Sequence, residues 1–154
     1  MRRRLKQAVF VSIVVFAVAQ LVRPQSGDPP TDESRTIQAY MGTASPLVAV
    51  LDRSCGDCHS NHTAWPWYAH VAPVSWLMAN GVTEGRKAVN FSEWAGYPPS
   101  AQRALLSASC QDARDGTMPG PYTILRPETR LSTLDIETIC SAARQADANA
   151  ADRR

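Results

Sequence analysis

Cys55-Gly56-Asp57-Cys58-His59 is the most informative segment of this chain. Two thiols at this spacing can each form a thioether with one vinyl group of a porphyrin. The residue that follows them, His59, then places its imidazole beside the iron as the proximal ligand. The C-x-x-C-H pattern occurs once, so the sequence predicts one covalently attached c-type haem.

Two other uses of these thiols fit the sequence less well. A thioredoxin-like dithiol follows a β-strand, whereas residues 46–53 are predicted to be helical because Ser45-Pro46 is typical of a helix start. A structural zinc site needs a second pair of ligands at short spacing. The two remaining cysteines, Cys110 and Cys140, are far apart in the sequence.

The first 22 residues have the composition of a targeting segment. Basic residues at 2–4 and 6 precede a run of apolar and small residues over 8–19. As a helix, residues 5–22 would be about 27 Å long, enough for a thin bilayer. Ala17-Val18-Ala19 also fits a signal-peptide cleavage site. We favour a single-pass anchor in the bacterial inner membrane, with everything that follows on the periplasmic, extracytoplasmic side.

One domain is expected beyond this segment, because the chain has only 154 residues. We predict a linker over residues 23–39, a haem-binding domain over residues 40–146 and a polar tail over residues 147–154. The predicted fold is all-α and cytochrome c-like with long loops, and it follows an N-terminal transmembrane helix. Without the four basic residues of the leader, acidic residues slightly outnumber basic ones, which argues against a nucleic-acid partner.

The helix predictions rest on capping residues and apolar spacing. Ser132 and Asp135 form a capping-box pattern at the start of the last helix, and Gly116 is a typical stop for the preceding one. The predicted helical segments are 46–53, 73–78, 82–91 with an interruption at Gly85, 100–115 and a last helix from 133, with a loop over 117–127.

The second axial ligand of the iron is predicted to be Met118. Its thioether is a soft ligand, and the prolines at 119 and 121 restrict the loop that carries it. Met118 could instead fill a packing gap. Met78 is expected in the core, His62 is too close to His59 to cross the porphyrin, and His70 remains an alternative ligand.

The middle of the chain resembles the bacterial haem-binding domain family of cytochrome c-like proteins. The resemblance covers residues 40–145 and rests on several tryptophan-rich strings. It implies a cytochrome c-like fold in which Cys55, Cys58 and His59 hold the haem. The chain departs from the family pattern at Arg126-Pro127, where many members have His before the proline. The matching strings are Cys58-His59-Ser60-Asn61, Trp65-Pro66-Trp67-Tyr68, Asn90-Phe91-Ser92-x-Trp94 and Met118-Pro119 with Tyr122.

Several further residues are candidates for the haem environment. Trp65 and Trp67, with Tyr68 and Trp76, are expected to wall the porphyrin, although ordinary core packing would use the same residue types. Arg86 is either the partner of a haem propionate or an exposed arginine. Cys110 and Cys140 are either a disulfide or two buried free thiols, and oxidation is permitted in an exported protein.

Together these features predict a membrane-tethered monohaem c-type cytochrome that transfers electrons to or from a redox partner protein. Ligation of iron by both His59 and Met118 leaves no open position for substrate, so we favour a carrier over an enzyme. Two alternatives remain at this point: a peroxidase-like enzyme module that would use His70 on the distal side, and a haem-based sensor.

Overall fold

The computed structural model describes residues 1–24 and 26–152, and every regular element within them is helical. This confirms the predicted all-α class. The α-helices are α1 (Arg2–Ala19), α2 (Ile37–Met41), α3 (Pro46–Ser54), α4 (Gly56–His59), α5 (Val74–Ala88), α6 (Pro99–Asp115) and α7 (Thr133–Ala151). Short 3-10 helices lie at Glu33–Arg35, Trp67–His70, Phe91–Gly96, Gly120–Ile124 and Pro127–Thr129.

Helix α3 leads directly into the C-x-x-C-H segment. Proline in its first turn needs no hydrogen-bond partner for its nitrogen, and the residue before it, Ser45, is extended. The buried face of α3 includes Leu47, Val48 and Leu51. Cys55 leaves helical geometry, with φ −124° and ψ −27°. The chain therefore turns at Cys55 before the single turn of α4 begins.

Helix α5 is continuous over Val74–Ala88. The prediction of two helices, over 73–78 and over 82–91 with an interruption at Gly85, is therefore wrong. The physical reason is one buried face that runs along the whole helix at spacings of three and four residues, from Ser75 through Met78 and Val82 to Gly85. A glycine on such a face lowers helix propensity but does not end the helix when neighbouring elements pack against it.

Helices α6 and α7 form an antiparallel pair. Arg103 faces Asp147, with 3.9 Å between the charged atoms, while Cys110 is joined to Cys140 by a disulfide. The predicted signals at their ends are both present. Gly116 ends α6 with a left-handed φ of 68°, and the Ser132–Asp135 capping box begins α7. Of the two alternatives for Cys110 and Cys140, the structure therefore shows the disulfide and not the pair of free thiols.

The core lies between α2, α3, α6, α7 and the 3-10 helix Phe91–Gly96. Trp94 is its largest fully buried side chain. The packed residues are Ile37, Leu47, Val50, Leu51, Val89, Phe91, Trp94, Leu106, Ala113, Ile139 and Ala143. Helix α4 packs against α5 at the edge of this core, so the segment that contains the two free thiols lies close to the surface.

None of the helices in the described part of the chain combines the length and the hydropathy that a membrane crossing requires. The predicted transmembrane helix over residues 5–22 is therefore not supported. Helix α1 includes the basic residues at 2–4 and 6 and ends at Ala19. Within α1, the run of apolar and small residues over 8–19 is about 18 Å long.

The segment between α1 and α2 is packed against the domain. The Trp76 indole N–H donates to the Val22 carbonyl at 2.8 Å, and the Gln20 amide accepts from Ala72 N at 2.9 Å. Asp28 accepts a hydrogen bond from Arg86 at 2.8 Å. Residues 20–22, from the end of the predicted targeting segment, and Asp28, from the predicted linker, thus make specific contacts with the rest of the chain.

Candidate functional site

The two thiols of the C-x-x-C-H segment lie at the corner between α3 and α4. Cys58 N and His59 N both donate to the Cys55 carbonyl, at 3.1 and 3.0 Å, which forms the single turn of α4. Both cysteines are free and half-buried. Burial, with a smaller contribution from the neighbouring Cys58, raises the pKa of Cys55 to about 12. Burial and the charge of Asp57 also raise the pKa of Cys58, so both thiols stay protonated at neutral pH.

The His59 imidazole is held by a backbone carbonyl. Its Nδ1 atom lies 3.2 Å from the oxygen of Val89. A carbonyl oxygen only accepts hydrogen bonds, so Nδ1 carries the hydrogen and Nε2 keeps its lone pair. Burial lowers the pKa of His59 below 6.5, against smaller opposing effects of nearby carbonyls and Asp112. A neutral imidazole with its second nitrogen oriented by a hydrogen bond is the arrangement typical of iron-ligating histidines.

Phe91 packs beside this imidazole from the start of the next 3-10 helix. The two ring centroids are 6.0 Å apart, and Phe91 is buried in the core. Asn90 caps that 3-10 helix, because its side-chain oxygen accepts a hydrogen bond from Ser92 N at 3.0 Å. The segment 89–91 therefore supplies both a polar and an apolar contact to His59.

Gly85 allows α5 to approach the C-x-x-C-H segment closely. A Cβ atom at this position would lie 2.5 Å from the Cys58 carbonyl oxygen and 3.1 Å from the Cys58 Cβ. Real Cβ atoms essentially never come so near to another heavy atom. The absence of a side chain at Gly85 thus lets the backbone of α4 rest on α5. The sequence predicts only a helix interruption at this glycine, because the approach of α4 depends on a segment far away in the chain.

Asp57 links three segments around the thiols, and the sequence analysis did not identify it. Its Oδ1 accepts from Ala64 N at 3.0 Å, and its Oδ2 accepts from the Tyr122 hydroxyl at 3.0 Å. The Arg126 guanidinium lies 3.4 Å from the same Oδ2. Burial, followed by the charge of Asp57, raises the pKa of Tyr122, so its hydroxyl remains a donor. The only available sequence signals were Asp57 inside the motif and the departure at Arg126.

Met118 lies in the segment that follows α6. Its backbone N–H donates to the Asp112 carbonyl at 3.4 Å, and Asp112 is close enough to His59 to affect the pKa of that imidazole. The Met118 side chain is 48% exposed, whereas that of Met78 is 7% exposed and buried on α5. Met78 is thus in the core as expected. Met118 is not filling a gap in the core, which leaves its thioether available as a ligand.

Exposed apolar side chains occur on the two segments beside the C-x-x-C-H turn. Trp67 is 78% exposed on one segment, and Ile124 and Leu125 are 78% and 45% exposed on the other. The Tyr68 hydroxyl lies 3.5 Å from the Leu125 carbonyl, so the two segments approach each other. These two neighbouring segments therefore leave three apolar side chains open to solvent.

Arg86 has partners other than those predicted. Its guanidinium donates to the Ser60 and Gly27 carbonyls, the Asp28 carboxylate and the Thr63 hydroxyl, at 2.7 to 3.1 Å. Four of its five N–H groups are thereby used. Arg86 therefore fastens the turn after His59 to the segment before α2, and its contact with a haem propionate stays a prediction.

The aromatic side chains that we expect beside the porphyrin have different surroundings in the structure. Trp65 is half-buried, and its indole N–H donates to Asp28 at 3.4 Å. Trp67 stacks edge-on against Tyr68, with ring centroids 5.8 Å apart. Trp76 is hydrogen-bonded to the segment after α1. Trp65 and Trp67 thus flank the segments around the thiols, and their contact with a porphyrin remains a prediction.

The other two histidines have partners of their own or line a cavity. His62 is exposed, and its Nε2 lies 3.3 Å from a carboxylate oxygen of Glu33. His70 lines a cavity of about 270 Å³ together with Gln20 and Val22, at the end of the leader. Within residues 1–24 and 26–152, no three His, Cys, Asp or Glu side chains are grouped to hold a metal ion without further donors.

Comparison with known proteins identifies a family. A family model described as the haem-binding domain matches residues 14–145, which is most of the chain. No curated protein and no solved structure matches significantly. The matched range contains every residue of the site described above.

Proposed function

The chain belongs to the haem-binding domain family, and we propose that it is a monohaem c-type cytochrome that carries electrons. The observation that carries this proposal is the contact of His59 Nδ1 with the Val89 carbonyl at 3.2 Å. It leaves Nε2 free to bind iron, one residue after the second of two free thiols. When bound, the haem would supply one-electron chemistry through its Fe(III)/Fe(II) couple.

Covalent attachment would use Cys55 and Cys58. Each thiol would add across one vinyl group, so that an S–H bond breaks, an S–C bond forms and the hydrogen goes to the adjacent vinyl carbon. The reaction is an addition and needs no oxidant. The raised pKa of both thiols keeps them protonated in the folded chain, which protects them from oxidation to each other before attachment.

Met118 is our proposal for the second axial ligand. Its side chain is half-exposed, in a segment whose neighbour Asp112 lies near His59. With both axial positions filled, substrate would have no open coordination site, and the iron would be suited to electron transfer. The peroxidase-like alternative needs a distal acid–base group, and its candidate, His70, lines the cavity at the end of the leader instead.

We also propose that this domain works outside the cytoplasm. The basic residues followed by an apolar run at the N-terminus are typical of export signals. A disulfide between Cys110 and Cys140 suits an oxidising compartment. The contacts of Gln20 and Trp76 join residues 20–22 to the domain, which favours retention of these residues in the working protein.

Absorption spectra of the purified haem-loaded chain test the electron-transfer proposal. We expect a low-spin ferric spectrum with the weak long-wavelength charge-transfer band of Met–Fe(III) ligation. The band should be lost in Met118→Ala and kept in the matched control Met78→Ala. A high-spin ferric spectrum in the unaltered protein, or peroxidase turnover abolished by His70→Ala, would favour the enzyme alternative.

A further inference from the structure

The segment that carries Met118 has little packing of its own. Residues 116–126 contain no buried side chain. Hydrogen bonds hold this segment in place. At its start, the Asp112 carbonyl accepts from Thr117 N at 3.1 Å and from Met118 N at 3.4 Å. These two bonds extend the hydrogen bonding at the C-terminal end of α6. The residues after Met118 depend on other contacts.

Asp57 holds the other end of the segment. Its Oδ2 accepts from the Tyr122 hydroxyl at 3.0 Å and lies 3.4 Å from Arg126 Nη1. The Asp57 side chain is only 17% exposed, so water screens these contacts weakly and they are stronger than surface pairs. Tyr122 is four residues beyond Met118. The methionine therefore lies between two anchored points.

The same carboxylate belongs to the helix that carries the thiols and the imidazole. Asp57 directly precedes Cys58, and its Oδ1 is fixed by Ala64 N at 3.0 Å. The Thr63 hydroxyl also donates to the Asp57 carbonyl at 2.7 Å. The Asp57 side chain is thus held in one orientation. Its Oδ1 is bonded to Ala64 N, and its Oδ2 is bonded to Tyr122 in the segment that carries Met118.

We propose that Asp57 is a positioning residue that sets the separation of Met118 from His59 and so favours Met118 as the second axial ligand. This inference rests on the His59 and Met118 ligation proposed above. It also gives a role to the departure at Arg126, whose guanidinium adds a second donor to Asp57 and is itself paired with Glu128. A charged donor at this position strengthens the anchor.

Imidazole competition on the full, haem-loaded ferric chain tests the proposal. Imidazole displaces a methionine ligand, and its apparent affinity rises as the Met118–iron contact weakens. Asp57→Asn removes the charge and one acceptor oxygen, so we expect imidazole to bind about ten-fold more tightly. Tyr122→Phe removes only the hydroxyl, and we expect about three-fold tighter binding.

Asp28→Asn is the matched control. Asp28 accepts from Thr63 N, next to the Ala64 N that Asp57 uses, but its hydrogen bonds do not include Tyr122 or Arg126. We expect an imidazole affinity within about two-fold of the unaltered protein. If Asp57→Asn and Tyr122→Phe both behave like this control, the positioning role is overturned while the proposed cytochrome function stands.

Amide hydrogen exchange gives a second readout that does not depend on imidazole. Leu125 N and Arg126 N both donate to the Tyr122 carbonyl, at 3.0 Å. Release of Tyr122 should therefore raise exchange at these two amides about ten-fold in Asp57→Asn. Unchanged exchange would overturn the inference. A missing Met–Fe(III) band in the unaltered protein would instead overturn the proposed ligation itself, and the positioning role with it.

Discussion

Replacing Gly85 with alanine tests the close packing of α5 against the C-x-x-C-H segment. The added Cβ would lie 2.5 Å from the Cys58 carbonyl oxygen and 3.0 Å from the carbonyl carbon. Ordinary contact begins at 3.4 Å. The contacting atom belongs to the backbone and cannot rotate away, so the two helices must separate by about 0.9 Å.

The expected free-energy change is the difference of two opposing effects. Overpacking in a well-packed region costs roughly 1–3 kcal/mol, while alanine gains up to about 1 kcal/mol over glycine in a helix. Because the contact at 2.5 Å is with backbone, the cost should lie in the upper part of that range, about 2–3 kcal/mol, so the free energy of unfolding should fall by about 1–2 kcal/mol in Gly85→Ala. Gly81 is the matched control, because its Cβ would meet nothing within 4 Å on the same helix. Gly81→Ala should be more stable by up to about 1 kcal/mol.

Thermal unfolding of the haem-loaded chain, followed by circular dichroism and by haem absorbance, measures both changes. We expect the Tm of Gly85→Ala to fall by roughly 2–8 °C and that of Gly81→Ala to stay or rise. Displacement of Cys58 should also lower the amount of haem recovered per polypeptide in Gly85→Ala alone. Equal Tm shifts and equal haem contents in the two variants would refute the packing argument.

Three further predictions address other parts of the structure. Met118→Ala should lower the reduction potential, measured by voltammetry, and remove the Met–Fe(III) absorption band. Met78→Ala should keep the potential and the band, but its free energy of unfolding in urea should fall by about 2–5 kcal/mol. The opposite pattern would exchange the roles of the two methionines. Serine at both Cys110 and Cys140 should lower the free energy of unfolding by about 3–4 kcal/mol in the chain-entropy model, and an unchanged urea midpoint would contradict this. Arg86→Lys removes most of the fork of hydrogen bonds, so stability should fall by about 1–3 kcal/mol with the reduction potential unchanged; a shifted potential would support the propionate role.

Local sequence signals predicted the ends of the long helices well. The Ser132–Asp135 capping box and the left-handed Gly116 are both observed, because each depends on residues within a few positions of one another. The prediction at Gly85 was wrong for the same reason. A propensity argument considers the helix alone, whereas this glycine is needed by a segment 27 residues earlier in the chain.

The contacts that orient the site could not be read from residue types. His59 is held by a backbone carbonyl, that of Val89, which any residue at that position would supply. Arg86 was assigned by its charge, but its acidic partner, Asp28, is 58 positions away in a segment predicted to be a linker. Pairs of this kind depend on how the helices pack, and a single sequence contains no record of that packing.

The leader shows the limit of counting apolar residues. Residues 5–22 have the number that a thin membrane requires, yet α1 begins with a basic cluster and ends at Ala19, before the last three of these residues. Its apolar segment is correspondingly shorter than the count suggests. The hydrogen bond from Ala72 N to the Gln20 side chain cannot be predicted from hydropathy.

Intact-mass spectrometry of the full chain, produced together with a haem-attachment system and treated with a thiol-alkylating reagent, tests the central claim most directly. The account predicts a mass increase of one haem, no alkylation at Cys55 or Cys58, and a haem-bearing peptide that contains both residues. A polypeptide without added haem mass, in which both of these cysteines are alkylated, would contradict it.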